Sequence, residues 1–129
     1  MANTVTTQTI VSSSKHLIYK WHIVGDGSGE ETALKMVDVS TFSAPVPTEV
    51  RVVGIWASLH GFAARLLWDA DTDVAMMSLP EGEDIFDFTK FGGLPNNAGT
   101  GKTGDIMIST IGLGSTDHGT IVLEMEKVY

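Results

Sequence analysis

From end to end the chain is written in short runs of alternating apolar and polar residues. No stretch holds a helical period over three turns. His16 to Val24 (HLIYKWHIV) sets Leu17, Tyr19, Trp21 and Ile23 on one face, and His16, Ile18, Lys20 and His22 on the other. Thr120 to Tyr129 repeats the pattern, with Ile121, Leu123 and Met125 alternating with Val122, Glu124 and Glu126. Thr4 to Val11 alternates Val and Ile with Thr and Gln, a β-branched composition that suits a pleated strand. Thr32 to Val39 sets Leu34 and Met36 against Lys35 and Asp38.

Two runs are apolar on nearly every residue, Glu49 to Leu59 and Phe62 to Asp69, and they carry Trp56 and Trp68. Near-continuous apolarity marks central strands. With His60-Gly61 between them the two runs predict a hairpin. Ala63 to Ala70 also admits a short helix, but its place after a glycine turn favours the strand. Val74 to Leu79, Ile85 to Phe88 and Asp105 to Ile111 supply further strands. Between the runs lie Ser12 to Ser14, Gly25 to Gly29, Asp69 to Asp73, Pro80 to Asp84 and Gly112 to Gly119. Thr41 to Pro47 holds Pro45 and Pro47, which remove ladder donors and so mark a connection crossing between sheets. Turn signals every 8–12 residues predict an all-β chain, a jelly-roll-like β-sandwich of about eight or nine short antiparallel strands.

At 129 residues the chain fits one domain, 1–129, without a linker or an internal repeat, and is long enough to bury a sizeable core. It contains no Cys, so neither disulfides nor thiolate zinc can help the fold. A formal charge of −8, with the basic residues scattered singly from Lys15 to Lys127, argues against nucleic acid as a partner. No apolar stretch reaches the roughly 20 residues that span a bilayer, so no membrane partner is expected either. The N-terminal residues MANTVTTQTIVSSS show no basic and apolar signal pattern.

The stretch that invites a chemical reading is Gly92 to Gly104, a loop with five glycines, two asparagines and a proline. Its GTGKTG contains the GK[ST] end of a phosphate-binding loop, at Gly101-Lys102-Thr103. That motif needs a glycine where Asn96 stands, and a helix where the strand-like DIMISTI follows. A nucleotide role is therefore set aside, and the loop is expected to be ordered by contact with another chain. Asp69, Asp71 and Asp73 begin like a calcium loop, but Val74 replaces the required glycine and Pro80 the final glutamate. A solvated acidic turn is the better reading, and no metal site is assigned. His16 and His22 share a strand face but lie six residues apart, roughly 20 Å, too far for one ion. His60 and His118 fall at turns. No nucleophile elbow or assignable carboxylate pair appears, so no catalytic residue and no cofactor are expected. Trp21, Trp56 and Trp68 each sit in an apolar stripe, which favours core packing over a sugar platform.

From Trp21 onward the order of features resembles small virion structural proteins of tailed bacteriophages. The marks are VGDGSGEE after a strand, FDFTKFGGL before the glycine loop, TGDIMIST after it, and the closing IVLEMEK. The resemblance implies a capsid decoration, or cement, protein that binds the outer shell and stiffens it. It would be made in the host cytoplasm and carried on the virion, with the major capsid protein as partner and self-association into an oligomer. Residues 1–14 would then serve as a partner-pairing N-terminal strand. The contact candidates are Thr4, Thr6, Gln8 and Ile10 there, with Phe91, Leu94, Asn96, Asn97 and Lys102 around the loop. A carbohydrate-binding module, calcium-assisted through Asp69, Asp71 and Asp73, is the alternative from another class. A tail or head–tail junction component is a variant of the first.

Overall fold

The computed structural model describes residues 3–27, 29–42 and 46–129. Nine antiparallel strands run through them: β1 (Thr4–Ser12), β2 (His16–Val24), β3 (Leu34–Val37), β4 (Glu49–His60), β5 (Ala63–Trp68), β6 (Val74–Leu79), β7 (Gly82–Asp87), β8 (Ile106–Ile111) and β9 (His118–Val128). The only helical turns among the described residues are 3₁₀ turns at Val39–Thr41 and Thr89–Phe91. The strands form two sheets, a five-stranded one in the order β1-β2-β9-β4-β7 and a four-stranded one in the order β3-β8-β5-β6. The chain is an all-β sandwich, as its alternating runs predict.

The alternation read from β2 and β9 holds residue by residue. Leu17, Trp21 and Ile23 of β2 and Ile121, Leu123 and Met125 of β9 are fully or almost fully buried, and Tyr19 packs beside them against Phe42. The facing sheet contributes Met36, Val37, Ala64, Leu66, Trp68, Leu79, Ile106 and Ile108 to the same core. One inner face from each sheet meets the other, the arrangement a two-layer β domain needs to bury its apolar stripes.

The predicted hairpin of Glu49–Leu59 with Phe62–Asp69 does not form. Its two strands lie in different sheets: β4 pairs with β9 and β7, whereas β5 pairs with β6 and β8. The short link through Gly61, at φ +88°, carries the chain across the sandwich instead of back along one sheet. Both strands are central, as their apolarity indicates, and that same apolarity concealed which neighbours they would have. Leu59 and Phe62 converge over Gly119, where a Cβ would stand 2.7 Å and 2.9 Å from them. The real hairpins are β1–β2 and β5–β6, the second turning through the acidic residues 69–73. From β2 onward every other connection changes sheet.

Leu34–Val37 is shorter than the Thr32–Val39 run, since Val39 already begins a 3₁₀ turn whose cap is Asp38, accepting from the Ser40 N–H. The strand expected at Ile85–Phe88 starts earlier and spans Gly82–Asp87. Pro45, in the predicted crossing connection, lies outside the described residues, as do Met1 and Ala2.

Candidate functional site

The glycine loop is held by its own chain. Leu94 forms a two-way bridge with β4, donating to Val52 O at 2.8 Å and accepting from Val52 N at 3.1 Å. Gly93, at φ +98°, permits that approach, because a Cβ there would stand 2.9 Å from Val53 Cγ1 and 3.0 Å from Val52 O. Farther on, the Thr103 hydroxyl donates to Asp69 Oδ2 at 2.7 Å, and Lys102 Nζ pairs with Glu49 Oε1 at 2.9 Å. The Asp71 N–H donates to Thr100 O. The expectation that another chain orders this loop is thus replaced by a loop tied to β4 and to the β5–β6 turn.

The bridge sits at an irregularity. Between Val52 and Gly54 the register of β4 against β9 shifts by one residue, a β-bulge at Val53, whose carbonyl accepts from the Phe88 N–H at 2.9 Å. Before the bulge Val50 and Val52 face the core, and after it Ile55, Ala57 and Leu59 do. Trp56 is thereby turned to the outer face and is 40% exposed, while Trp21 and Trp68 are buried. The core assignment made for all three tryptophans holds for two, and the bulge accounts for the third.

Trp56 stands in a cross-strand row. It is opposite Ile85 on β7 and Val122 on β9, and Val122 is opposite Lys20 on β2, which is opposite Gln8 on β1. Ile85 is 72% exposed, the most exposed large apolar side chain described. Directly opposed residues share one face of a sheet. The next row is Thr6, His22, Thr120, Ser58 and Glu83, in which His22 Nδ1 and Thr120 Oγ1 lie 2.8 Å apart. The face therefore has an apolar centre with a polar surround, and Trp56, Ser58, Glu83, Ile85, Thr120 and Val122 border an open groove of about 510 Å³. Glu83 and Asp84 are consecutive in a strand, so their side chains leave on opposite faces and do not form a facing carboxylate pair.

At the end of this face His60 is directly opposite His118, and their rings stack with centroids 5.0 Å apart. Sequence spacing of 58 residues hides that pair, which only the β4–β9 register reveals. Among the described residues no group of three or more His, Asp or Glu side chains is placed to hold a metal ion. Two of the three aspartates of the β5–β6 turn are engaged within the chain: Asp69 accepts from Thr103, and Asp73 Oδ1 accepts from the Ala70 N–H.

The remaining contact candidates divide. Thr4, Thr6, Gln8 and Ile10 are exposed on edge strand β1. Asn97 and Lys102 are also exposed. Leu94 is partly buried against the core, and Asn96 is buried with its Oδ1 accepting from the Ala98 N–H, so both serve the loop's own packing. Phe91 closes the second 3₁₀ turn, and its side chain lies outside the described residues. No protein-family model matches the chain, and no curated protein matches it.

Proposed function

We propose that this protein is a non-enzymatic virion structural protein of the decoration type, docking on the outer surface of a phage capsid and stiffening it. The observation that carries the reading is the Trp56–Ile85–Val122 centre on the outer face of the five-stranded sheet. A tryptophan and an isoleucine held outward by a regular sheet, with Lys20, Ser58, Thr120 and Glu83 around them, have the layout of an interface centre with its rim. The sandwich behind the face holds one continuous buried core, which suits a part that works by its surface. The strand orders β2-β9-β4-β7 and β3-β8-β5-β6, with nearly every connection crossing, are read as jelly-roll wiring.

The partner in this reading is the major capsid protein. Purified protein added to mature capsids lacking it should co-sediment with them and raise their heat resistance, and Trp56→Ala should abolish both effects. Capsids that neither retain the protein nor gain heat resistance would refute the proposal. Retention at a tail vertex alone would favour the junction variant.

One observation favours a second reading. Trp56 stands beside the Ser58 and Thr120 hydroxyls and the Glu83 carboxylate in an open groove, donors and acceptors of the kind a sugar ring uses when it stacks on an aromatic face. The aspartates of the β5–β6 turn belong to the other sheet, so a calcium-assisted form of this reading has no support at the groove. A glycan array separates the two readings, since glycan binding lost in Trp56→Ala would favour the sugar.

A further inference from the structure

Each sheet ends in two edge strands, and three of these four edges are protected. Strand β7 carries Glu83, Asp84 and Asp87 along its six residues. Strand β3 has only four residues. Strand β6 is uncharged but lies between the aspartates of residues 69–73 and Glu81. Charges, brevity and acidic flanks are the devices that keep open strand edges from pairing with another chain.

Strand β1 has none of these. Its sequence TVTTQTIVS contains no charge and no proline over nine residues, and seven of the nine are exposed. Its strand partner is β2, and among the described residues no strand lies along its other edge. Its inward face is covered at Val5, which packs against the core, but not farther along. Thr7 and Thr9 lie opposite Trp21 and Tyr19, whose side chains point to the core, yet both threonines are exposed. Beyond Thr9, Ile10 and Val11 are 48% and 39% exposed. The ladder is uninterrupted from Thr4 to Thr9, and its one irregularity falls between Thr9 and Val11.

We infer that β1 is a self-association edge, pairing antiparallel with β1 of a second copy. The neutral, self-complementary sequence of the edge selects that partner. At −8 two copies repel wherever acidic surfaces meet, and β1 is a long, neutral strand along which they can approach. A two-fold axis normal to the sheet makes the contact isologous and joins the two five-stranded sheets into one ten-stranded sheet. That axis keeps the outer faces on one side only when residues of like phase meet. Centred on Thr7, the pairing sets Thr7 against Thr7, Thr6 against Gln8, Val5 against Thr9 and Thr4 against Ile10. These are β-branched and polar cross-strand partners, without a like-charge clash. The inference holds whatever the Trp56 face binds, and it places two such faces side by side on one surface.

Light scattering after size exclusion, over roughly 1–100 µM, tests the pairing. Wild-type protein is expected to run as a dimer in the upper part of that range, and Thr6→Lys/Gln8→Lys as a monomer with its melting temperature within a few degrees of wild type. Because the chain has no cysteine, Thr7→Cys gives a second readout. Oxidised, it should form a covalent dimer at wild-type protein concentrations, whereas Ser78→Cys on β6 should stay monomeric. A wild-type monomer throughout the range would overturn the inference. So would a dimer that survives the double lysine variant, equal cross-linking at positions 7 and 78, or a closed trimer. Capsid binding by a monomeric double variant would leave the proposed function standing, so the two ideas fail separately.

Discussion

Asp105, where the glycine loop enters β8, offers the sharpest test of what holds the loop in place. It is 5% exposed, its Oδ1 accepts from the buried Val39 N–H at 2.9 Å, and its Oδ2 meets Lys35 Nζ at 3.0 Å. Lys35 is 46% exposed, so its ion pair is screened by water and contributes about 0–1 kcal/mol. The Val39 N–H has no such relief, and losing its acceptor costs roughly 1–3 kcal/mol. Asp105→Ala removes both and should destabilise by about 2–3 kcal/mol. Asp105→Asn keeps an oxygen for Val39 and gives up the ion pair, for about 1 kcal/mol or less. For 129 residues the melting entropy is about 0.27 kcal/mol/K, so the expected drops are roughly 7–11 °C and no more than about 4 °C. Calorimetry with urea titration measures both. Equal losses in the two variants would show that the ion pair dominates and would refute the reasoning.

Four further outcomes are expected. Gly104→Ala forces φ +87° on a residue with a Cβ and drives that Cβ to 2.0 Å from Thr48 O, so it should destabilise by more than about 2 kcal/mol in urea titration. Trp68→Ala should cost about 3–5 kcal/mol, whereas Trp56→Ala should cost about 1 kcal/mol or less, and comparable losses would remove Trp56 from the surface. Burial opposes the charge of Glu30, but hydrogen bonds from the Leu113 and Gly112 N–H groups and the Thr110 hydroxyl outweigh it and hold the pKa below its ordinary value. The Ser40 hydroxyl lowers Asp38 in the same direction. The folded state then binds fewer protons than the unfolded one, so stability is full above the ordinary carboxylate range, roughly pH 3.9–4.3, and falls as pH drops through the lowered values. Glu30→Gln should therefore give a shallower acid limb in a pH series of melting curves.

How far the fold was legible depended on which face of each strand met water. β2 and β9 present one face to the core and one to solvent, so Leu17, Trp21, Ile121 and Leu123 were readable from alternation alone. β4 and β5 carry apolar residues on both phases, among them Val53, Trp56 and Leu67 off the core phase, and nothing local records whether a strand neighbours the one after it or lies across the sandwich from it. That is why the His60-Gly61 link read as a hairpin. The candidate face was less legible still. Trp56 is an exposed centre only because Val53 breaks the phase of its strand, and the bonds around that break come from Phe88, on the Val53 carbonyl, and from Leu94, bridged to Val52, both far away in sequence. The His60–His118 stack likewise exists through a register that no spacing encodes.

The bulge at Val53 works as a parity switch. On its N-terminal side even-numbered residues of β4 belong to the interior, and on its C-terminal side odd-numbered ones do. Deleting that one residue would join Val52 directly to Gly54, and their partners Met125 and Glu124 are already consecutive, so Ile55, Ala57 and Leu59 would stay inside. Drawing Val53 into a regular ladder without shortening the strand is what would send them to the solvent and bring Trp56, Ser58 and His60 inward. The extra residue is absorbed at the bulge, where Phe88 bonds the Val53 carbonyl, so the facing of the Trp56 row depends on Val53 staying out of the ladder rather than on the length of the strand.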